Sequence, residues 1–201
     1  DGMAAREVLK DPRVGSVTLV DLDPEMTRLF KENESLAALN SFALRSPKVT
    51  VVNDDAYKWL ETNEGPFDLM VAVFPDPSNY AVGKLYTTAF YRLLIRRLAP
   101  GGIVTVQSTS PLFARQTFWT VVTTMEAAGF ASKPYHAYVP SFGEWGFVVG
   151  ATVPYRVPVK FPPGLRYLTP EIALGLFDFP ADMSRVPAEA NRLDTQILVQ
   201  H

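Results

Sequence analysis

The chain has 201 residues, 47% of them hydrophobic and 20% charged, with a formal net charge of -2. These values describe an ordinary globular protein long enough to bury a core, and they give no basic footprint for nucleic acid. The absence of cysteine excludes disulfides, thiolate metal sites and cysteine nucleophiles and fits a cytosolic compartment; no apolar run approaches the roughly 18 residues that a membrane span requires.

Asp1-Gly2-Met3-Ala4-Ala5 reads as the tail of a Gly-rich turn entering a helix over 3–10, which ends near Pro12. A strand and further glycines normally precede such a turn, so the chain is expected to be a fragment or processed product of something longer. The β-branched run Val17-Thr18-Leu19-Val20 predicts a strand closing at Asp21. Asp23 and Pro24 then start a helix as N-cap and first helical residue, running through Phe30. A second helical stretch is expected from Leu36 to Leu44. Val49 to Val52 is the next strand, and Asp55 caps a short helix over Ala56–Thr62.

Phe67 to Val73 is almost unbroken in apolar character, as a strand buried on both faces requires. Thr87 to Leu98 has apolar residues at helical spacing, with Arg92, Arg96 and Arg97 on the outer face. Ala99-Pro100-Gly101-Gly102 stops it, and Ile103 to Gln107 is another strand. A helix over 114–128 ends at Gly129. Strands near 131–139 and 145–152, separated by Pro140-Ser141-Phe142-Gly143, pair as a hairpin. Beyond 153 the texture turns Pro-rich, with short helices expected near 169–176 and 187–193.

Strands alternating with helices predict an α/β, Rossmann-like fold: a mainly parallel twisted sheet, helices on both faces and a short helical C-terminal tail. Residues 1–152 form the Rossmann-like domain, lacking its first strand and part of the Gly-rich turn. Residues 153–201 form a Pro-rich extension packed on it.

In open parallel sheets, ligands bind outside the carboxyl ends of the strands. Four acidic positions fall there: Asp1, Asp21, the Asp54-Asp55 pair, and Asp76 between Pro75 and Pro77. Carboxylates suit hydroxyls, an exocyclic amine and cations, and they repel phosphates. A nucleoside-type ligand carrying positive charge is therefore expected, rather than a nucleotide. Asp21 lies about 20 residues after the Asp1-Gly2 turn, the distance at which an acid hydrogen-bonds ribose hydroxyls. Asp54 is assigned to the adenine side, with the backbone of Asp55 and Ala56 beside it, and Asp55 is given the capping role. The two prolines restrict the loop that carries Asp76. His136 has no second histidine at ligand spacing, so no metal site is expected and a partly exposed strand histidine is.

These residues resemble the spermidine synthase (polyamine aminopropyltransferase) family. Asp1-Gly2 matches the end of that family's glycine run, Asp21 and Asp54 its two nucleoside-side acids, Asp76-Pro77 its Asp-Pro loop, and Gln107 its later strand glutamine. Order and spacing hold to about Gly150, and Arg166 through Leu193 resembles the C-terminal helices. The segment from Val139 to Phe147 is most similar to the bacterial branch whose synthase domain follows a multi-pass membrane region.

The resemblance implies transfer of an aminopropyl group from decarboxylated S-adenosylmethionine to putrescine or a related polyamine. That donor is a co-substrate, and no tightly bound cofactor is implied. Asp1, Gly2, Asp21, Asp54, Asp55 and Ala56 fall on the nucleoside side; Asp1, Asp76, Gln107 and Phe142 fall on the amine side. The resemblance also implies a homodimer, a cytoplasmic domain, and a parent chain anchored in the bacterial inner membrane.

Two positions depart from the pattern. The family's presumed base, an aspartate three residues before the Asp-Pro pair, is Val73 here, and an amine-orienting tyrosine is Phe142. Loss of a positioned base costs about 10²–10⁴-fold, so weakened transfer is expected, with Asp76 as the remaining acid in the loop. Two alternatives stay open: a methyltransferase using S-adenosylmethionine, and a non-catalytic nucleoside- or polyamine-binding module.

Overall fold

The computed structural model describes residues 1–200. The chain divides into two compact units, one spanning Asp1–Asn63 and a second beginning at Glu64. No helix among the described residues is long and apolar enough to cross a membrane.

In the first unit, α1 (Met3–Val8), β1 (Val17–Asp21), α2 (Pro24–Glu32), α3 (Glu34–Leu39), β2 (Val49–Asn53) and α4 (Ala56–Thr62) follow in order. The runs Val-Thr-Leu-Val and Val-Thr-Val-Val pair in parallel, from Val17 opposite Val49 to Asp21 opposite Asn53. Both strands therefore end at the same level. The expected caps are present: Asp23 accepts from the Glu25 and Met26 amides, and Asp55 from those of Tyr57 and Lys58.

The single helix expected from Leu36 to Leu44 is instead split. Asn33 caps α3, which stops at Leu39, and Ser41 and Phe42 adopt left-handed backbone before a 3₁₀ turn at Ala43–Arg45. The break is made by Asn40. Its fully buried amide donates to Asp1 O (2.9 Å) and Phe30 O (3.1 Å) and accepts from the Ala43 amide. Those bonds satisfy groups that a continued helix would have left unpaired.

The second unit holds β3 (Phe67–Ala72), α5 (Tyr80–Gly83), α6 (Thr88–Arg97), β4 (Leu98–Gln107), α7 (Arg115–Ala128), β5 (Ala131–Val139), β6 (Gly143–Ala151) and α8 (Pro170–Gly175). Its sheet has the order β3-β4-β6-β5: β3 and β4 are parallel, and the β5–β6 hairpin adds to β4 antiparallel. β4 begins at Leu98, earlier than expected, because Phe67 already pairs with Leu98 and the Pro-Gly-Gly segment bulges out before pairing resumes at Leu69 and Ile103. Gly129, in left-handed backbone, ends α7 as predicted.

Val104 and Val106 alternate into the core, where they join Phe90, Tyr91, Phe118, Val121, Val122, Met125 and Val148, all essentially without exposure. The fold is Rossmann-like α/β, and each unit contributes a parallel strand pair with helices.

The C-terminal segment is bound into the second unit. Trp119 Nε1 donates to Met183 O (3.0 Å), Arg115 Nε to Ser184 O (2.7 Å) and Gln116 to Pro187 O (3.0 Å). Phe179 lies against Phe118 and Trp119. The helix expected at 187–193 does not form, and 185–192 carry no regular structure. Asn191 is fully buried: its amide N–H goes to Thr124 Oγ1 (2.8 Å), its carbonyl accepts from Thr88 (3.0 Å), and its side chain reaches Tyr86 O (3.0 Å). Tertiary partners outside the segment thus take the bonds that helix propensity would have closed locally.

Candidate functional site

In the first unit the parallel register puts two of the predicted nucleoside-side acids, Asp21 and Asp54, at adjacent strand ends. Asp21 ends β1 directly beside Asn53, the last residue of β2, and Asp54 follows one residue on. Asn53 fixes this edge by donating from Nδ2 to Asp21 O (3.2 Å) and to Thr27 Oγ1 (2.9 Å). Asp21 Oδ1 accepts from the Asp23 amide (3.0 Å) and Asp54 Oδ1 from the Asp55 amide (2.8 Å). Each carboxylate is thereby turned by its own loop. Asp55 is committed to the α4 cap, and Ala56 is the first residue of that helix.

Asp1 and Gly2 sit at the start of α1. The Asp1 carboxylate accepts from the Met3 amide (3.0 Å), and the Asp1 carbonyl is held by Asn40. Gly2 is left-handed, with φ 82°, and a Cβ there would come within 2.8 Å of Leu44 and 3.0 Å of Asn40. Only glycine fits this turn.

In the second unit, β3 and β4 pair as far as Ala72 and Val106. Val73 and Gln107 are therefore the next residues at the carboxyl ends of two neighbouring strands. Val73 is 57% exposed, and Gln107 is half-buried opposite Phe147. Asp76 lies on the loop after β3, exposed, with Pro77 buried beside it. Thr109 Oγ1 donates to Asp76 Oδ2 (3.3 Å). The Tyr86 hydroxyl donates to the carbonyls of Phe74 (3.2 Å) and Pro75 (3.1 Å) from beneath that loop. Burial, followed by the nearby Asp76 charge, pushes the Tyr86 phenol well above its usual range, so it stays a donor.

Phe142 occupies the hairpin turn, 62% exposed and against Trp145 at 5.1 Å between ring centroids. His136 bridges the hairpin and the tail, with Nδ1 on Glu144 and Nε2 on Asp178 O (2.6 Å). Sequence reasoning missed Asn53, Tyr86 and Thr109. The parallel register exposes the first, whereas Tyr86 in Lys-Leu-Tyr-Thr and Thr109 in Gln-Ser-Thr-Ser carry no motif around them.

A Rossmann-like α/β fold with acids at or just beyond the carboxyl ends of the parallel strands of each unit makes those strand ends the candidate functional positions. The chain belongs to the family described as the spermine/spermidine synthase domain, which it matches over residues 1–157. It is 50% identical, over its full length, to the polyamine aminopropyltransferase of Leptospira interrogans, and 49% identical to polyamine aminopropyltransferase 2 of Ralstonia nicotianae. In both cases it spans 40% of the relative's length. Among solved structures, a spermidine synthase in complex with the transition-state analogue AdoDATO superimposes with a TM-score of 0.77 at 20% identity. That match covers 89% of this chain and 63% of the other, and it reports on the fold.

Proposed function

We propose that this chain is the catalytic part of a polyamine aminopropyltransferase, with decarboxylated S-adenosylmethionine as donor and putrescine or a related polyamine as acceptor. The observation that carries the reading is the register that pairs Asp21 with Asn53 and so puts Asp21 and the following Asp54 at adjacent strand ends, in a chain whose whole length aligns with proteins named polyamine aminopropyltransferase.

In this reading Asp21 accepts from the ribose hydroxyls and Asp54 from the adenine amino group. Asp1 and Asp76 lower the repulsion between two cationic substrates. The acceptor nitrogen forms a bond to the aminopropyl carbon as the carbon–sulfur bond breaks. The sulfonium leaves as neutral methylthioadenosine, and the amine gives up one proton. Gln107 and Phe142 line the amine side, and positioning supplies most of the acceleration. The same reading implies a cytoplasmic domain acting as a homodimer and joined in a longer parent to a membrane region. The longer parent is supported by the resemblance at Val139–Phe147 and by the greater length of the relatives.

A second reading is favoured by one observation: the residue at the base position is an exposed valine. A domain that binds the nucleoside sulfonium or the polyamine without turning it over would tolerate that residue. Incubation with putrescine and either decarboxylated or ordinary S-adenosylmethionine, followed by mass spectrometry, separates the readings. Slow formation of spermidine and methylthioadenosine from the decarboxylated donor is expected. Saturable binding with no product supports the binding module, and a methylated product from the ordinary donor overturns both.

A further inference from the structure

The last pairs of the β4–β6 ladder hold an irregularity that bears on Asp76. Gln107 pairs with Phe147 in normal register. Beyond it, two residues face one: the Ser108 amide donates to Gly146 O (2.9 Å), and the Gly146 amide donates to Thr109 O (2.7 Å). This is a β-bulge, a device that bends a strand and redirects a side chain, found often beside active sites.

Thr109 has φ 60°, in the left-handed region that a β-branched residue rarely occupies. The opposing strand gives it no room to relax. A Cβ at Gly146 would lie 2.7 Å from Thr109 O and about as close to the Phe118 ring, so the two backbones are already at their nearest approach.

The neighbouring hydroxyls are spent locally. Ser108 Oγ donates to Val106 O (3.0 Å), and Ser110 Oγ accepts from the Leu112 and Phe113 amides (both 3.3 Å). Thr109 alone of the three sends its hydroxyl across to another loop, onto Asp76 Oδ2 (3.3 Å). Thr109 is 6% exposed, while Asp76 itself is exposed. The contact therefore runs from a fixed interior donor to a carboxylate at the surface. Tyr86 holds the same loop from the opposite side through the Phe74 and Pro75 carbonyls.

From this arrangement we infer that Thr109 is a positioning residue: the strained bulge aims its hydroxyl at Asp76 and orients that carboxylate for a polyamine ammonium. Thr109 takes one acceptor site of Oδ2 and fixes the plane of the carboxylate, which leaves Oδ1 as the more accessible acceptor for the ammonium. The inference rests on the amine-binding role proposed above. Strain in a β-branched residue persists only where the surroundings enforce it, and the directed hydroxyl is what the enforced conformation achieves here.

Three variants test it. Thr109→Val keeps shape and removes the hydroxyl. Thr109→Ser keeps the hydroxyl. Thr109→Gly removes the hydroxyl while relieving the left-handed backbone, and a urea midpoint measured for each variant confirms that it is folded. Calorimetric titration with putrescine should show about tenfold weaker binding for the valine and glycine variants and near-parental binding for serine. Methylthioadenosine affinity should be unchanged in all three. Hydrogen exchange at 74–79 should speed up in the valine and glycine variants.

Putrescine affinity and exchange at parental values in the folded glycine variant would overturn the role of Thr109. If the parent protein bound no putrescine while exchange at 74–79 still rose, the polyamine reading would fail, and with it the ammonium assignment, but the Thr109–Asp76 brace would stand.

Discussion

Replacing Val73 by aspartate is expected to raise aminopropyl transfer to putrescine by about 10²–10⁴-fold, the usual worth of a positioned general base. The position suits the change. Val73 directly follows β3, and its neighbour across the strand ends is Gln107. It is 57% exposed, so a new carboxylate there stays solvated, and exposed substitutions of this kind alter stability by only about 0.5 kcal/mol. The attacking nitrogen must lose a proton, and an aspartate, with an ordinary pKa of about 3.9, is ionised at neutral pH and ready to accept it. Spermidine formation followed by mass spectrometry at matched protein concentration checks this. A rate equal to the parent's, with substrate affinities preserved, would show that something other than the base limits the reaction.

The second large effect concerns the support of the amine side. Phe118→Ala should destabilise the protein by about 3–5 kcal/mol. Phe118 has no exposed surface; it packs edge-on against Trp119, at 5.2 Å between centroids, and at a tilt against Phe179, at 5.7 Å. It also fills the space where a side chain at position 146 would lie. One substitution therefore opens a cavity beneath the bulge and loosens the C-terminal segment. Total stabilities of about 5–15 kcal/mol leave little margin for such a loss. A fall in the urea midpoint with unchanged slope is the expected reading. Leu69→Ala, on a residue 43% exposed, serves as the near-neutral control.

The elements written most plainly in the chain are those whose causes are local. β-branched runs gave β1 and β2 at their expected places, and Asp23, Asp55 and Gly129 ended or began helices as capping chemistry requires. The hairpin was legible from its Pro-Ser-Phe-Gly turn. What could not be read depends on distant partners. Asn40 breaks a helix because carbonyls at Asp1 and Phe30 await its amide. Residues 187–193 forgo a helix because Asn191 docks on Tyr86, Thr88 and Thr124.

The candidate site follows the same division. Asp21 and Asp54 were legible as acids at strand ends, and the register brings those ends together. Thr109 was not, because its importance lies in a backbone angle that no residue type announces.

The claim on which the rest depends is that carboxylates closing parallel strands hold the nucleoside half of a cationic donor. Titration calorimetry with methylthioadenosine on the parent chain and on Asp21→Ala addresses it most directly. Saturable one-to-one binding is predicted, weakened about 10- to 100-fold in the variant, as loss of hydrogen bonds to a charged acceptor implies. Undiminished affinity in Asp21→Ala, or no binding by the parent protein, would contradict it.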